Sequence, residues 1–223
     1  MAAQEYTTKA VSGWLALVLW LIALVVDAWT LIGSVDGPPV PAILLLPVIL
    51  FLAKGYIILE PNLAAVMVFF GKYAGSLRDD GFFWVNPFYT KHKISLRAHN
   101  LNTPTLKVND HAGNPIEVAA VIVWRVYDTA CATFDVEDYY EYVAMQSESA
   151  VRQVVSERWY DGDENGDHSL RGDLDTVARL LIDSIQSHCA LAGLDIVEAR
   201  ISHLAYAPEI AGAMLRRQQE VGS

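Results

Sequence analysis

The segment EPNLAAVMVFFGKYAGSLRDDGFFWVNPF, residues 60–88, carries the strand and turn signals that decide the fold. Residues 63–70 form an apolar and aromatic run, residues 71–75 indicate a turn, and residues 81–85 form a second run before the break at Asn86-Pro87. Short apolar runs separated by Gly, Pro and Asn are typical of antiparallel strands. The segment therefore predicts the opening of an antiparallel sheet.

The strand pattern continues for another forty residues. Residues 90–96 and 101–108 extend the meander, residues 109–115 indicate a turn, and residues 116–127 predict the longest strand. In that strand, every second residue is apolar, which predicts one buried face. The residues on this face are Ile116, Val118, Ala120, Ile122, Trp124 and Val126, whereas Glu117, Arg125 and Tyr127 lie on the other.

Helical spacing follows the long strand. Asp135 can cap a first helix, residues 173–192 predict a second, and Gly193 is suited to end it. The first helix would bury Tyr140, Val143, Ala144, Ser147, Val151, Val154 and Val155, and the second Leu174, Val177, Leu181, Ile182, Ile185 and Cys189. The pattern predicts two helices covering one sheet face, which is an α+β arrangement.

The last elements are a strand and a short helix. Residues 195–204 predict the strand, and Pro208 suits the first turn of a helix over residues 209–220. The sequence ends soon after this helix begins.

Two apolar segments precede the sheet, residues 11–32 and 40–59, and residues 33–39 form a turn between them. At about 1.5 Å per residue, the first segment reaches roughly 33 Å as a helix, enough to cross a hydrocarbon core of about 30 Å. The second segment contains Pro41 and Pro47, and only about 14 residues precede Lys54. The pattern predicts a membrane hairpin whose second arm either crosses with a kink or is re-entrant.

The positions of the lysines around the hairpin predict its orientation in the membrane. Lys9 and Lys54 flank it and the connecting turn carries only Asp36, so both ends are expected in the cytoplasm. Within the membrane segment, Asp27 either faces the headgroups or marks an ion path or a polar contact between helices. The residues singled out there are Trp14, Trp20, Asp27 and Pro47.

Composition excludes several classes of function. The chain of 223 residues has a formal net charge of −10, which argues against nucleic acid as a ligand. Cys131 and Cys189 form no CxxC pair and suit a reducing compartment. No GxSxG elbow, P-loop or HExxH motif occurs, so we expect no enzyme activity and no cofactor.

Three stretches of the sequence resemble the SPFH (band 7) family, which includes stomatins, prohibitins, flotillins and bacterial protease-associated members. The first is the opening segment, residues 60–88, and the second is NPIEVAAVIVWRVYDTACATFDVEDY, residues 114–139. The third is GLDIVEARISHLAYAPEIAGAMLRRQQ, residues 193–219. Their order matches that of the family's elements, so a member of this family, expected to be bacterial, is indicated.

The resemblance implies a non-enzymatic scaffold in the bacterial inner membrane with a cytoplasmic soluble part. Its protomers would form large rings or cages that organise lipid microdomains or enclose partners such as a membrane protease. The expected division is a tail (1–10), a membrane hairpin (11–59), two SPFH subdomains (60–127 and 128–207) and the start of a coiled-coil helix (208–223). That helix is shorter than the family's arm. Either the sequence ends before the arm does, or the assembly closes without it.

A second hypothesis concerns the acidic loop DGDENGDHSLRG, residues 161–172. Asp161, Asp163, Asn165 and Asp167 are spaced as in the first half of an EF-hand, but Gly172 stands where a bidentate glutamate is needed. A solvated helix connection is the simpler interpretation. The alternative function is a one-to-one regulator of a protease or channel that uses this loop as a contact or a calcium switch.

The aromatic residues after the hairpin form the last candidate site. Phe82, Phe83, Trp84 and Phe88 lie close to the expected membrane exit. Aromatic rings favour the headgroup layer, but rings in strands are also common in cores. The sequence leaves both placements open.

Overall fold

The computed structural model describes residues 5–8, 10–33, 39–161 and 169–209. The chain divides into two compact units, with the boundary between Leu96 and Arg97. Sequence patterns placed a boundary after residue 127 instead. The earlier boundary has a physical reason, since the long strand pairs with strands on both sides and cannot be separated from them.

Two helices open the first unit. A two-residue strand, β1 (Val11–Ser12), leads into α1 (Gly13–Gly33), which is long and apolar enough to cross a membrane. Helix α2 (Val40–Leu52) follows, with Pro41 in its first turn and Pro47 inside it, and a 3-10 turn (Ala53–Gly55) ends it. Most side chains of both helices are exposed in the isolated chain, as expected for a surface that meets lipid.

The first unit contains two three-stranded antiparallel sheets. One has the strand order β1-β5-β2 and the other β4-β3-β6. The strands after β1 are β2 (Tyr56–Leu59), β3 (Leu63–Phe69), β4 (Lys72–Leu77), β5 (Gly81–Trp84) and β6 (Tyr89–Ser95). A small apolar core, which includes Ile57, Met67 and Leu77, is shared by these strands.

Two sequence predictions fail in this unit. The predicted turn at residues 71–75 is displaced, because Phe70 and Gly71, with φ angles of 45° and 83°, close a two-residue hairpin and β4 already begins at Lys72. The apolar segment 40–59 does not stay helical to its end. Tyr56–Leu59 is a strand whose residues alternate between faces and pair with β5.

The second unit is a four-stranded antiparallel sheet covered by helices. Strand β9 (Pro115–Val126) is central, with β10 (Leu194–Tyr206) on one side and both β7 (His99–Asn102) and β8 (Leu106–Asn109) on the other. The helices are α3 (Thr129–Phe134), α4 (Tyr139–Ser156) and α5 (Leu174–Cys189), followed by a 3-10 turn (Ala190–Ala192). Helices α4 and α5 pack on each other, α5 against β10 and α4 against β8 and β9.

The predicted inner face of the long strand is confirmed. All six of its predicted residues are at most 3 % exposed, and Trp124 is among the largest fully buried side chains. From α5, Val177, Leu181 and Ile185 are buried, but Leu174 is 57 % exposed. Leu174 is the first residue of α5, so it lies before the part of the helix that packs against the sheet.

The first predicted helix is α4, which begins after Asp138 and not after Asp135, and the short helix α3 that precedes it was not predicted. Asp128 caps α3 and Asp138 caps α4, each accepting hydrogen bonds from two backbone N–H groups, whereas Asp135 ends α3. Tyr140 is 47 % exposed because it lies in the first turn of α4. The predicted strand 101–108 is also interrupted, since Thr103 donates its backbone N–H to Ala120 and separates β7 from β8. The predicted coiled-coil helix lies outside the described residues beyond Glu209.

Candidate membrane-proximal site

The predicted aromatic cluster is divided between the two faces of β5. Phe82 and Trp84 share a face with Tyr56 of β2, and Phe82 stacks on Tyr56 with ring centroids 5.4 Å apart. Phe83 lies on the opposite face and packs against the small core. The alternation of the strand therefore turns Phe83 toward the core, whereas the placement of the other rings in the headgroup layer stays a prediction.

Trp84 of β5 forms a hydrogen bond with the end of α2. Its indole N–H donates to the carbonyl oxygen of Leu52 over 3.0 Å. The contact depends on Gly55, where a Cβ atom would lie 2.4 Å from the indole nitrogen. The last turn of α2 is therefore held directly on β5.

A second contact joins the two helices. The indole N–H of Trp20 donates to the carbonyl oxygen of Ile49 over 2.7 Å. Pro47, two residues earlier, has no backbone N–H, so the carbonyl group that loses its helical donor is that of Ile43. Trp14, in the first turn of α1, is 69 % exposed and makes an edge contact with Phe82.

Asp27 occupies an unusual place in α1. Its side chain is buried, with 5 % exposure, and its Oδ2 atom has no hydrogen-bond partner among the residues that the structure describes. Its backbone carbonyl accepts from the hydroxyl of Thr30 over 2.8 Å. A carboxylate in such a place is costly, and is commonly functional in membrane helices.

Phe88 belongs to a second aromatic group that the sequence only partly indicated. Its ring lies 4.9 Å from Phe51 in the last turn of α2 and 6.0 Å from Phe70 at the tip of the β3–β4 hairpin. Phe70 is 78 % exposed and Phe88 is 55 % exposed. Phe51 and Phe70 were missed because they lie far from Phe88 in sequence.

Two lysines of β6 reach the edge of β2 that pairs with no strand in the described part of the chain. The ammonium of Lys91 donates to the carbonyl oxygens of Lys54 and Tyr56, over 2.7 and 3.2 Å, and Lys93 donates to that of Ile58 over 2.9 Å. We call these three contacts the lysine seam. Burial lowers the pKa of Lys91 below its usual value.

The aromatic group of Phe51, Phe70 and Phe88 and the lysine seam line an open cleft of about 480 Å³, which we call the interfacial cleft. Its cations are Lys54 and Lys91, and Thr90 adds a hydroxyl. Its walls are the rings of Phe51, Phe70, Phe88 and Tyr89 together with Pro87. It combines hydrogen-bond donors of positive charge with an apolar wall.

The acidic loop is only partly described, because Asp163, Asn165 and Asp167 lie outside the described residues. Asp161 is already engaged, since it accepts a hydrogen bond from Tyr206 over 3.0 Å and lies 3.8 Å from Arg171. Burial and Asp161 raise the pKa of Tyr206. Across the described ranges, no three His, Cys, Asp or Glu side chains are grouped so that they could hold a metal ion.

Comparison with known proteins identifies the family. The profile of the SPFH domain / Band 7 family matches residues 57–221, which is most of the chain. Stomatin homologs of Pyrococcus horikoshii and Pyrococcus abyssi are each 29 % identical to it over 123 residues, which cover 55 % of this chain. The alignment covers 46 % of each relative, so the chain spans about half the length of the curated relatives it matches. The expected bacterial origin stays a prediction. The chain belongs to the SPFH domain / Band 7 family, whose members are generally membrane-associated scaffolds and not enzymes.

Proposed function

We propose that the protein is a membrane-anchored scaffold whose copies associate side by side into rings or cages. The observation that carries this proposal is the outer edge of β10, where the side-chain amide of Gln186 covers the backbone of Leu194 and Ile196 at the beginning of the strand. This strand of thirteen residues pairs with β9 on one side, and no strand of the described residues pairs with its other side. Long unpaired edges favour association with another chain.

A groove beside this edge supports the same proposal. It has a volume of about 530 Å³ and lies between α5 and β10. Leu174, Ile182 and Ile201 give it an apolar floor, while Arg179 and Glu198 place both signs of charge at its rim. An apolar centre with a charged rim is the usual composition of a protein interface.

The geometry favours a head-to-tail contact between copies. The β10 edge lies on the opposite side of the sheet from β7 and β8, so one copy can offer the first edge and its neighbour the second. Such heterologous contacts form rings when the rotation between copies closes. Anchoring by α1 would confine the copies to the membrane plane and raise their effective concentration.

The proposed work of the assembly is to organise membrane lipids or to enclose partner membrane proteins, for example a protease. The soluble part would lie on the cytoplasmic side, with Lys9 and Lys54 flanking the membrane segments. No chemical step is assigned to any side chain. The exposed rings of Phe70 and Phe88 would rest in the headgroup layer.

The experiment is the particle mass of the full chain in mild detergent, measured by mass photometry and light scattering. We expect a large, discrete oligomer for the unaltered protein. Leu174→Glu should reduce it to small species, because it places a charge on the groove floor. The matched control is Leu180→Glu, which lies on α5 outside the groove and is 36 % exposed.

Two results would contradict the proposal. One is a strictly monomeric particle for the unaltered chain. The other is an oligomer that Leu180→Glu disrupts as much as Leu174→Glu does, because the effect would then belong to the helix and not to the groove. A one-to-one regulator would instead give a monomer that still binds its partner.

A further inference from the structure

The interfacial cleft places two lysines together without a carboxylate. Neither Asp nor Glu lines it, and no acidic side chain among the described residues forms an ion pair with Lys54 or Lys91. This is unusual in a chain with a net charge of −10. The cleft therefore suits an anion from outside the chain.

The distribution of charge strengthens this point. Residues 4–96 contain six Lys and Arg and six Asp and Glu, so the formal charge of this part is zero. The entire excess of negative charge lies after Leu96. The part of the chain that carries the membrane segments is thus the part that can approach an anionic surface.

Lys91 has a donor left for a ligand. An ammonium group has three N–H donors, and two of those of Lys91 go to the carbonyl oxygens of Lys54 and Tyr56. Burial lowers its pKa, since a half-buried cation without an anion is poorly stabilised. An anion in the cleft would accept the third hydrogen bond and raise the pKa of Lys91 again.

The position of the cleft along the chain indicates which anion. Lys54 lies two residues after the end of α2, and Phe51 lies in its last turn. Phe70 and Phe88 expose apolar rings beside the lysines. Cations beside exposed rings at the end of an apolar helix match the order of phosphate, glycerol and acyl chain in a phospholipid.

We infer that the interfacial cleft binds the phosphate group of an anionic phospholipid. Lys54 and Lys91 contact the phosphate, while Phe70 and Phe88 pack against the glycerol and the upper acyl chain. This inference rests on the proposed membrane anchoring and adds a lipid preference to it.

The test is native mass spectrometry of the full chain in detergent, titrated with dioleoyl phosphatidylglycerol or dioleoyl phosphatidylcholine. We expect tighter retention of phosphatidylglycerol. Lys54→Gln should weaken it about five-fold, the contribution of one basic side chain near an anionic surface. Lys91→Gln should do the same.

Lys93→Gln is the matched control. Lys93 lies on the same strand and makes the same kind of seam contact as Lys91, but it does not line the cleft. Its replacement should leave the preference within two-fold of the unaltered chain. Lys54→Gln should fold normally, because the seam uses the backbone carbonyl of Lys54 and not its side chain. A loss of lipid preference in this variant therefore cannot be attributed to a broken seam.

Three outcomes would overturn the inference. One is equal retention of the two lipids, and another is an equal loss with Lys91→Gln and Lys93→Gln, which would indicate general charge attraction. The third is full displacement of the lipid by millimolar inorganic phosphate, which would indicate a site for the free anion. If the protein forms oligomers but retains both lipids equally, this inference is refuted and the proposed assembly is not. If the protein is monomeric but prefers phosphatidylglycerol, the proposed assembly is refuted and this inference is not.

Discussion

The ammonium group of Lys91 lies 3.2 Å from the carbonyl oxygen of Tyr56, and this contact connects two sheets through strands that do not pair with each other. Within the described ranges, β2 is an edge strand, and the carbonyl groups of such an edge need donors. Lys93 repeats the contact at Ile58, two residues further along both strands. The shared period of two residues keeps both contacts on the same sides of the strands.

Replacing Lys93 with Met should destabilise the protein by about 1 kcal/mol, the usual net value of one hydrogen bond. The carbonyl oxygen of Ile58 would lose its donor, and water would replace it only in part. The measurement is the free energy of unfolding in detergent. Lys72→Met, at an exposed position of β4, should change it by less than about 0.5 kcal/mol. Equal effects would mean that the seam contributes no stability.

The helix cap at Asp128 gives a second prediction. Its carboxylate accepts hydrogen bonds from the N–H groups of Ala130 and Cys131, over 2.9 and 3.0 Å. Asp128→Ala should cost about 1 kcal/mol of stability, as is typical for loss of an N-cap. Asp135→Ala should cost less, because Asp135 lies at the C-terminal end of α3. Thermal melts of both variants measure the difference, and a larger loss for Asp135→Ala would refute this assignment.

The prediction that Asp135 caps a helix was wrong, and the reason is the short length of α3. The inner face of β9 was predictable, since twelve residues alternate without interruption and burial requires that alternation. Helix α3 has only six residues, too few for a periodic face to be recognised. An acidic residue before an apolar run then indicates a cap, but not which of several nearby aspartates provides it.

The interfacial cleft could not be predicted for a different reason. Lys91 meets the carbonyl of Lys54 across 37 residues, and Phe51 meets Phe88 across a similar distance. Such contacts follow from how strands of different sheets approach each other, which no local pattern encodes. The aromatic residues near residue 84 were visible in sequence, but the lysines completing the site were not.

Gly55 is the subject of a third prediction. A Cβ atom there would lie 2.4 Å from the indole nitrogen of Trp84 and 2.5 Å from the carbonyl oxygen of Val85. Gly55→Ala should therefore displace Trp84 and break its hydrogen bond to Leu52, with a loss of roughly 1–3 kcal/mol. The measurement is the melting temperature together with tryptophan fluorescence. Gly33→Ala is the control, since a Cβ atom at Gly33 would have no neighbour within 4 Å. An unchanged melt for Gly55→Ala would contradict the contact.

The two cysteines should be unreactive in the folded protein. Burial raises the pKa of Cys131 to about 12, assisted by Asp128, and burial raises that of Cys189 to about 11. At pH 8 the thiolate fraction would be roughly one in a thousand or less. Maleimide labelling followed by intact mass should give no adduct in the folded state and two adducts after denaturation. Rapid labelling of the folded chain would show that one of the sites opens.

The contact between Tyr206 and Asp161 predicts how stability changes at high pH. Burial and the Asp161 carboxylate raise the pKa of Tyr206 above its unfolded value of 10.0. Below pH 10 the phenol is protonated in both states, so its contribution to stability is complete. Above pH 10 the unfolded chain releases the proton first, and stability must fall as the pH rises.

Tyr206→Phe should make this decline shallower between pH 10 and 12, whatever its effect at pH 8. Urea unfolding at several pH values measures the slope, with Tyr127→Phe as a control at a 70 % exposed position. A decline as steep in Tyr206→Phe as in the unaltered chain would show that other groups cause the loss at high pH.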